Sequence, residues 1–181
     1  MFGYRVELCP FLFLDVIALK NRTRYLAHAA IIAALYAVVT HMQNILIPGS
    51  ATWAIQLRLS EALCVLAFFT PAAIPGLTTG CLIFNLTYAA ALPPDWLLGS
   101  LATFLAAWAM HRLRRWPLLG LMMPALTNAV LVGWELTVYI GGGFLLNALY
   151  VALGEAVVLY TFGWALCAAI KKRRLDVRLF G

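Results

Sequence analysis

Gln56-Leu57-Arg58-Leu59-Ser60-Glu61-Ala62-Leu63 places a polar Q-x-R-x-S-E cluster at the head of an apolar run that continues to Phe69-Thr70-Pro71. The sequence on either side is hydrophobic enough for a lipid bilayer. An arginine and a glutamate close to hydrocarbon are costly, so they require a partner, a water-filled cavity or a function. The run from Leu57 to Phe69 is short for a bilayer, which takes ~20 helical residues to cross. How this one segment is accommodated therefore decides how the rest of the chain is arranged.

The composition fixes the solvent. The chain has 181 residues, 64% of them hydrophobic and 11% charged, with a mean hydropathy of +0.91. Water-soluble domains carry about 25% charged residues, so an ordinary soluble fold is excluded. The expected class is an all-α integral membrane protein, one compact domain with no soluble domain appended. The net charge of +6 does not indicate nucleic acid, because the basic residues sit at the ends of apolar segments, where a membrane surface explains them. Cys9, Cys64, Cys81 and Cys167 have no C-x-x-C spacing and read as small buried hydrophobes. His28, His41 and His111 fall on separate segments without an H-E-x-x-H pattern, so neither a metal site nor a cofactor is expected.

Six transmembrane helices are expected. The first covers residues 25–45 and is rich in alanine; Pro48-Gly49-Ser50 then opens a loop carrying Trp53, Gln56 and Arg58. The second covers 57–69, and Pro71 and Pro75 mark the turn after it. The third covers 76–91 and the fourth 96–110, followed by the basic run His111 to Arg115. The fifth covers 118–140, ended by three glycines, and the sixth 144–170, ended by Lys171-Lys172-Arg173-Arg174. Residues 1–22 form an N-terminal segment of uncertain role, 23–174 the six-helix domain, and 175–181 a cytoplasmic tail. Within the first of these, 8–19 is apolar but short and lacks a small-residue cleavage site, so a surface-lying segment, or a start codon placed too far upstream, is expected over a signal peptide.

Charge supports an even number of spans. With a cytoplasmic amino terminus the inside segments hold Arg5, Lys20, Arg22, Arg24, Arg112, Arg114, Arg115, Lys171 to Arg174 and Arg178, and the outside segments hold Arg58 alone. That split follows the positive-inside rule and places both termini in the cytoplasm.

This topology gives each polar residue a depth. Arg58 and Glu61 start the outer end of the second helix, Asn85 lies in the outer part of the third, and Asp95 reads as the N-cap of the fourth. Glu135 and Tyr139 lie near the outer end of the fifth helix. Asn147 and Tyr150 begin the sixth, with Glu155 and Asn128 deeper. Most of the costly groups thus gather in the outer half, as a pocket open to the exterior requires. Plainer readings stand beside this one. Arg58 and Glu61, three residues apart, can pair on one helix face. Asn85, Asn128 and Asn147 can serve as interhelical hydrogen-bond glue. Trp53, Tyr139 and Tyr150 can form an interfacial belt. Glu135 and Glu155 have no basic neighbour on their own helices, and for them a binding role is the stronger expectation.

Small residues form a second pattern. Ala29, Ala33 and Ala37 recur every four residues with Ala30 and Ala34 beside them, and Gly76 and Gly80 make a G-x-x-x-G. Both suit close helix packing within the bundle, and the alanine stripe would also suit a partner subunit. The chain contains no P-loop, no G-x-S-x-G and no internal repeat, so ATP binding, esterase chemistry and a two-halved secondary transporter are not expected.

The block from Gln56 to Leu63, then Phe68-Phe69-Thr70-Pro71-Ala72-Ala73-Ile74-Pro75-Gly76-Leu77, Gly80-Cys81 through Asn85, and Asp95 followed by Leu98 to Thr103, resembles the QueT family. The likeness covers residues 25–170 or so. The resemblance implies a substrate-binding S component of an energy-coupling factor (ECF) transporter in a bacterial cytoplasmic membrane. Such a component captures a queuosine precursor, a 7-deazaguanine, from outside. It implies as partners a transmembrane T subunit, which the stripe Ala29, Ala33 and Ala37 would face, and two cytoplasmic ATPases. The chain itself would then be no enzyme and carry no catalytic residue. The loop from Pro48 to Arg58 would lid the pocket. The expected substrate contacts are Trp53, Gln56, Arg58, Glu61, Asn85, Glu135, Tyr139, Asn147, Tyr150 and Glu155. Glu135 or Glu61 would accept the ring N–H groups; Asn85, Asn147 or Gln56 would read the remaining edge. An aminomethyl substituent would favour a second carboxylate such as Glu155. The alternatives are an S component for thiamine or biotin, a small intramembrane enzyme using Glu135 or Glu155, and a structural subunit.

Overall fold

The structure, a computed structural model, describes residues 10–50, 57–89, 91 and 94–180, and within these the side chains from 21 to 179. All regular structure among the described residues is helical. In chain order it consists of α1 (Pro10–Leu46), a 3-10 segment (Leu59–Phe68), α2 (Ala73–Thr87), α3 (Asp95–Arg112), α4 (Pro117–Tyr139), α5 (Phe144–Val158), a π turn (Leu159–Gly163), α6 (Trp164–Lys172) and α7 (Leu175–Phe180). Among the described residues three helical stretches are long and apolar enough to cross a membrane: Asn21–Leu46, Pro117–Tyr139 and Phe144–Lys172, the last running unbroken through the π turn.

The helix α1 reaches back to Pro10, further than the apolar pattern from residue 25 onward indicated. At 1.5 Å per residue its 37 residues extend about 55 Å, so its N-terminal part outruns the ~30 Å hydrocarbon layer. Residues 10–20 of the segment expected to lie on the surface thus continue the first helix, and residues 1–9 lie outside the described residues.

The apolar run after Arg58 is not an α-helix. Leu59–Phe68 winds as ten residues of 3-10 helix. At a rise of about 2.0 Å per residue that covers about 20 Å, against about 15 Å for an α-helix of the same length. Stretching in this way lets a short segment traverse most of the bundle. It runs through the middle, packed against α1, α2, α3, α4, α5, α6 and the π turn. With three residues per turn, Arg58, Glu61, Cys64 and Ala67 fall in one row, and all four are buried. The segment is the axis around which the other helices close. Its apolar side chains Cys64, Val65 and Ala67 join Ile32, Tyr36, Leu77, Cys81, Met110 and Leu121 in the main core.

Helices α1 and α2 touch backbone to backbone. A Cβ on Gly76 would lie 2.7 Å from the Ala29 carbonyl oxygen, and one on Gly80 would lie 2.7 Å from both the Ala33 oxygen and Tyr36 Cβ. Ala33 and Ala37 are buried while Ala30 and Ala34 are exposed. The Ala29, Ala33 and Ala37 stripe is therefore matched to the G-x-x-x-G of α2 inside the chain. Among the described side chains, the alanines that α1 turns outward are Ala27, Ala30 and Ala34. Between α4 and α5 the chain reverses through Gly141 and Gly142 at φ +98° and +89°, a left-handed backbone that side-chain-bearing residues resist.

Candidate functional site

The 3-10 segment carries Glu61 into the interior, fully buried. Tyr36 Oη donates to Glu61 Oε1 at 2.5 Å and Cys64 Sγ donates to Oε2 at 3.0 Å, so each carboxylate oxygen has a donor. Thr40 Oγ1 stands 2.7 Å from the Tyr36 carbonyl oxygen and 2.7 Å from Ser60 Oγ, which fixes α1 against the segment one turn further along. Arg58, buried at 1% exposure, lies close enough to Tyr36, Cys81, Asp95 and Glu61 for each to act on its charge. The guanidinium thus lies in the field of several groups, Glu61 among them.

Helix α3 enters beside it. Asp95 is the first residue of that helix and Pro94 occupies the N-cap, with no side-chain capping bond; the expected capping role is thereby corrected. The Asp95 side chain, 4% exposed, faces Glu135 of α4. Its carbonyl accepts from Asn85 Nδ2 at 2.8 Å. Gly99, one turn along α3, leaves the room this requires: a Cβ there would lie 2.9 Å from Asn85 Nδ2 and 3.9 Å from Arg58 Nη1.

Glu135 is fully buried, and neither of its carboxylate oxygens meets a hydrogen-bond donor among the described residues. Its charged neighbours are Asp95 and Arg58. Asp95 opposes a negative charge on Glu135 and Arg58 favours one, and neither supplies a donor to its oxygens. A group in this state costs about 1–3 kcal/mol or more for each acceptor left unmatched. Glu155 of α5 is likewise fully buried, with Asn128 Nδ2 donating to its Oε1 at 3.1 Å, and Glu61 and Arg58 within electrostatic range. Asn85 Oδ1, Asn128 Oδ1 and Glu155 Oε2 also lack donors among the described residues.

The structure therefore brings Arg58, Glu61, Asn85, Glu135 and Glu155 into one buried polar interior. Asn147 stands apart: its Nδ2 donates to Thr137 Oγ1 and to the Gly141 carbonyl, each at 3.0 Å, tying the α4–α5 reversal. Tyr139 and Tyr150 lie at the surface, 53% and 36% exposed, outside this cluster. Trp53 and Gln56 fall outside the described residues.

Tyr36, Asp95, Asn128 and Gly99 belong to the interior and were not among the expected contacts. Tyr36 gave no signal, because a tyrosine in an apolar helix reads as core. Asp95 and Asn128 were visible as costly polar residues whose partners were not. Gln43 is a further addition. Its Nε2 donates to Ser50 Oγ at 2.8 Å and to the Leu57 carbonyl, while its Oε1 accepts from Leu59 N at 2.7 Å. One side chain on α1 thus holds both ends of the loop that precedes the 3-10 segment. Beside it a cavity of about 270 Å³ is lined by Ile47, Leu57, Leu59, Val157 and Phe162 among others.

Membrane-length helices closing over charged, partly unmatched side chains define a multi-pass membrane protein with an enclosed polar site. The family model described as QueT transporter matches residues 26–172. The chain belongs to the QueT transporter family, and so is a non-enzymatic transporter component. No curated protein and no solved structure matches it.

Proposed function

We propose that the chain is the S component of an ECF-type importer, capturing a 7-deazaguanine queuosine precursor from the exterior for uptake driven by partner ATPases. Residues 23–174 form the S-component domain, crossing a bacterial cytoplasmic membrane six times with both ends inside. A T subunit and two ATPases complete the transporter.

One observation carries the substrate reading. Glu135 is buried with both oxygens unmatched, close to Arg58 and Asp95. A protein retains so unfavourable a group where a ligand supplies what is missing. A deazaguanine edge offers adjacent N–H donors that one carboxylate accepts together, and a ring carbonyl that an amide or guanidinium N–H can reach. Glu135 takes the donors in this reading, and Arg58 or Asn85 reads the carbonyl edge. Glu61, already satisfied by Tyr36 and Cys64, orients the central segment. Gln43, holding Ser50, Leu57 and Leu59, anchors the loop that covers the bound base.

The test is thermal unfolding of the detergent-purified protein with 7-cyano- and 7-aminomethyl-7-deazaguanine, queuine, guanine, thiamine and biotin. A ligand that binds the folded state alone adds about 2.7 kcal/mol of apparent stability at a hundred times its dissociation constant. Stabilisation by deazaguanines and not by the vitamins is expected. A shift with thiamine or biotin alone would keep an importer and overturn the substrate.

A further inference from the structure

Helices α2 and α3 leave a groove between them on the outer surface of the bundle. Near the end of α3 it widens to a cavity of about 510 Å³, walled by Tyr25, Ile74, Pro75, Thr78, Phe104 and Trp108 among others. Toward the start of α3 it continues as a second cavity of about 300 Å³, which shares Thr78 and Phe104 and reaches Trp96. The Thr78 hydroxyl is turned back onto the Ile74 carbonyl at 2.8 Å, so its side chain offers the groove little but a methyl group. From Trp96 to Trp108 the rise along α3 is about 18 Å, a little over half the ~30 Å hydrocarbon layer. The groove is therefore as deep as one leaflet.

The mouth of the groove is charged. Arg112, the last residue of α3, lies over the Trp108 ring with its guanidinium carbon 5.2 Å from the centroid. Together with His111, Arg114 and Arg115 it also lines a polar cavity of about 340 Å³. His111 pins this corner to the 3-10 segment, its Nδ1 standing 2.7 Å from the Ala67 carbonyl oxygen. The three arginines have no carboxylate partner among the described residues. Glu61, Asp95, Glu135 and Glu155 are buried in the interior, and the remaining described acid, Asp176, stands on α7. Nor do the arginines serve α4, which starts at Pro117 without an acidic residue in its first turn, since positive charge is unfavourable at a helix start.

Unbalanced guanidiniums at the end of an apolar groove fit a ligand with an anion at one end and a hydrocarbon chain along the rest. An apolar partner helix would fill the groove and leave the arginines bare. Basic pockets at the ends of membrane helices take phosphate headgroups, and arginine presents paired N–H donors to phosphate oxygens. We propose that this corner is a binding site for an anionic phospholipid, with its phosphate on Arg112, Arg114 and Arg115 and one acyl chain in the α2–α3 groove. The site requires only that the chain lies in a bilayer, and it stands or falls independently of the transported substrate.

The experiment titrates the delipidated full chain in detergent with dioleoylphosphatidylglycerol, which is anionic, or dioleoylphosphatidylcholine, which is not, counting bound lipid by native mass spectrometry. The wild type should prefer phosphatidylglycerol about tenfold or more, the scale of a few basic residues at a headgroup. The triple variant Arg112→Gln, Arg114→Gln, Arg115→Gln should lose that preference and keep its phosphatidylcholine affinity. All three positions are exposed, so its lipid-free melting temperature should match the wild type. Thr79→Phe, at an exposed position on the groove wall, should weaken both lipids by filling the groove, and carries the test alone if the triple variant does not fold. Lys171→Gln with Lys172→Gln, an exposed basic pair at the end of α6, should leave the preference intact. Equal binding of the two lipids by the wild type, or a preference that the triple variant retains, overturns the site. Indifference to Thr79→Phe, or an equal loss in the lysine variant, overturns it in favour of diffuse surface charge. Displacement of phosphatidylglycerol by inorganic phosphate at a concentration comparable to the lipid's overturns the lipid in favour of free phosphate.

Discussion

Glu61 and Glu135 are both wholly buried, and their surroundings give them opposite roles. Glu61 has a donor on each oxygen, so it belongs to the folded framework. Tyr36→Phe removes one of these donors and leaves a buried carboxylate oxygen unmatched, at a cost of about 1–3 kcal/mol. A lower melting temperature in detergent, with ligand binding retained at low temperature, is the expected result. Glu135 has no donor on either oxygen. Replacing it with glutamine removes a buried carboxyl group whose oxygens no donor among the described residues satisfies. Glu135→Gln should therefore melt no lower than the wild type, while deazaguanine affinity falls about tenfold or more with the loss of a charge-assisted contact. Melting curves with and without ligand check both halves. An unchanged affinity would remove Glu135 from the site. The sequence marked the two glutamates alike, as carboxylates in apolar surroundings. What separates them is the reach of Tyr36 from another helix.

Among the elements, the alanine and glycine stripes show how much of the packing was legible. The spacing of Ala29, Ala33 and Ala37 and of Gly76 and Gly80 signalled close helix contact, but a stripe does not name its partner. In the structure the two stripes meet each other. Gly80→Ala places a methyl 2.7 Å from a carbonyl oxygen and from Tyr36 Cβ, atoms that no side-chain rotation can move aside. Overpacking of this kind costs about 1–3 kcal/mol, so a clear drop in melting temperature is expected. Gly99→Ala is different, because the nearest obstacle is the side-chain amide of Asn85, at 2.9 Å. That amide can turn away, so the fold should survive while ligand affinity drops, as parallel melting and binding measurements on the two variants would show. The 3-10 segment lay beyond the reach of local pattern altogether. Leu59-Ser60-Glu61-Ala62-Leu63-Cys64 holds four good helix formers, Leu59, Glu61, Ala62 and Leu63, and nothing within it forbids an α-helix. The wider rise is imposed by the helices packed around it.

At the scale of the whole molecule, a six-span topology with both ends cytoplasmic makes a direct prediction. Reporter fusions at the amino and carboxyl termini should both report the cytoplasm, and one inserted within the loop at 51–56 should report the exterior. A fusion pair on opposite sides would overturn the topology. Three stretches are membrane-length on their own; α2, α3 and the 3-10 segment have to span, if they do, as members of the bundle. By itself the sequence determined that the protein lives in a bilayer, that it is helical, and which residues sit there at a cost. Those properties are sums over hydropathy and charge along the chain, and need no knowledge of contacts. Only the tertiary structure decided that the short run is a 3-10 axis, that the alanine stripe is used internally, and which acceptors have no donor. Each of these depends on pairs far apart in the chain, Tyr36 with Glu61, Ala33 with Gly80, Asn128 with Glu155. A donor's absence is a property of the three-dimensional neighbourhood, which no local stretch of sequence contains.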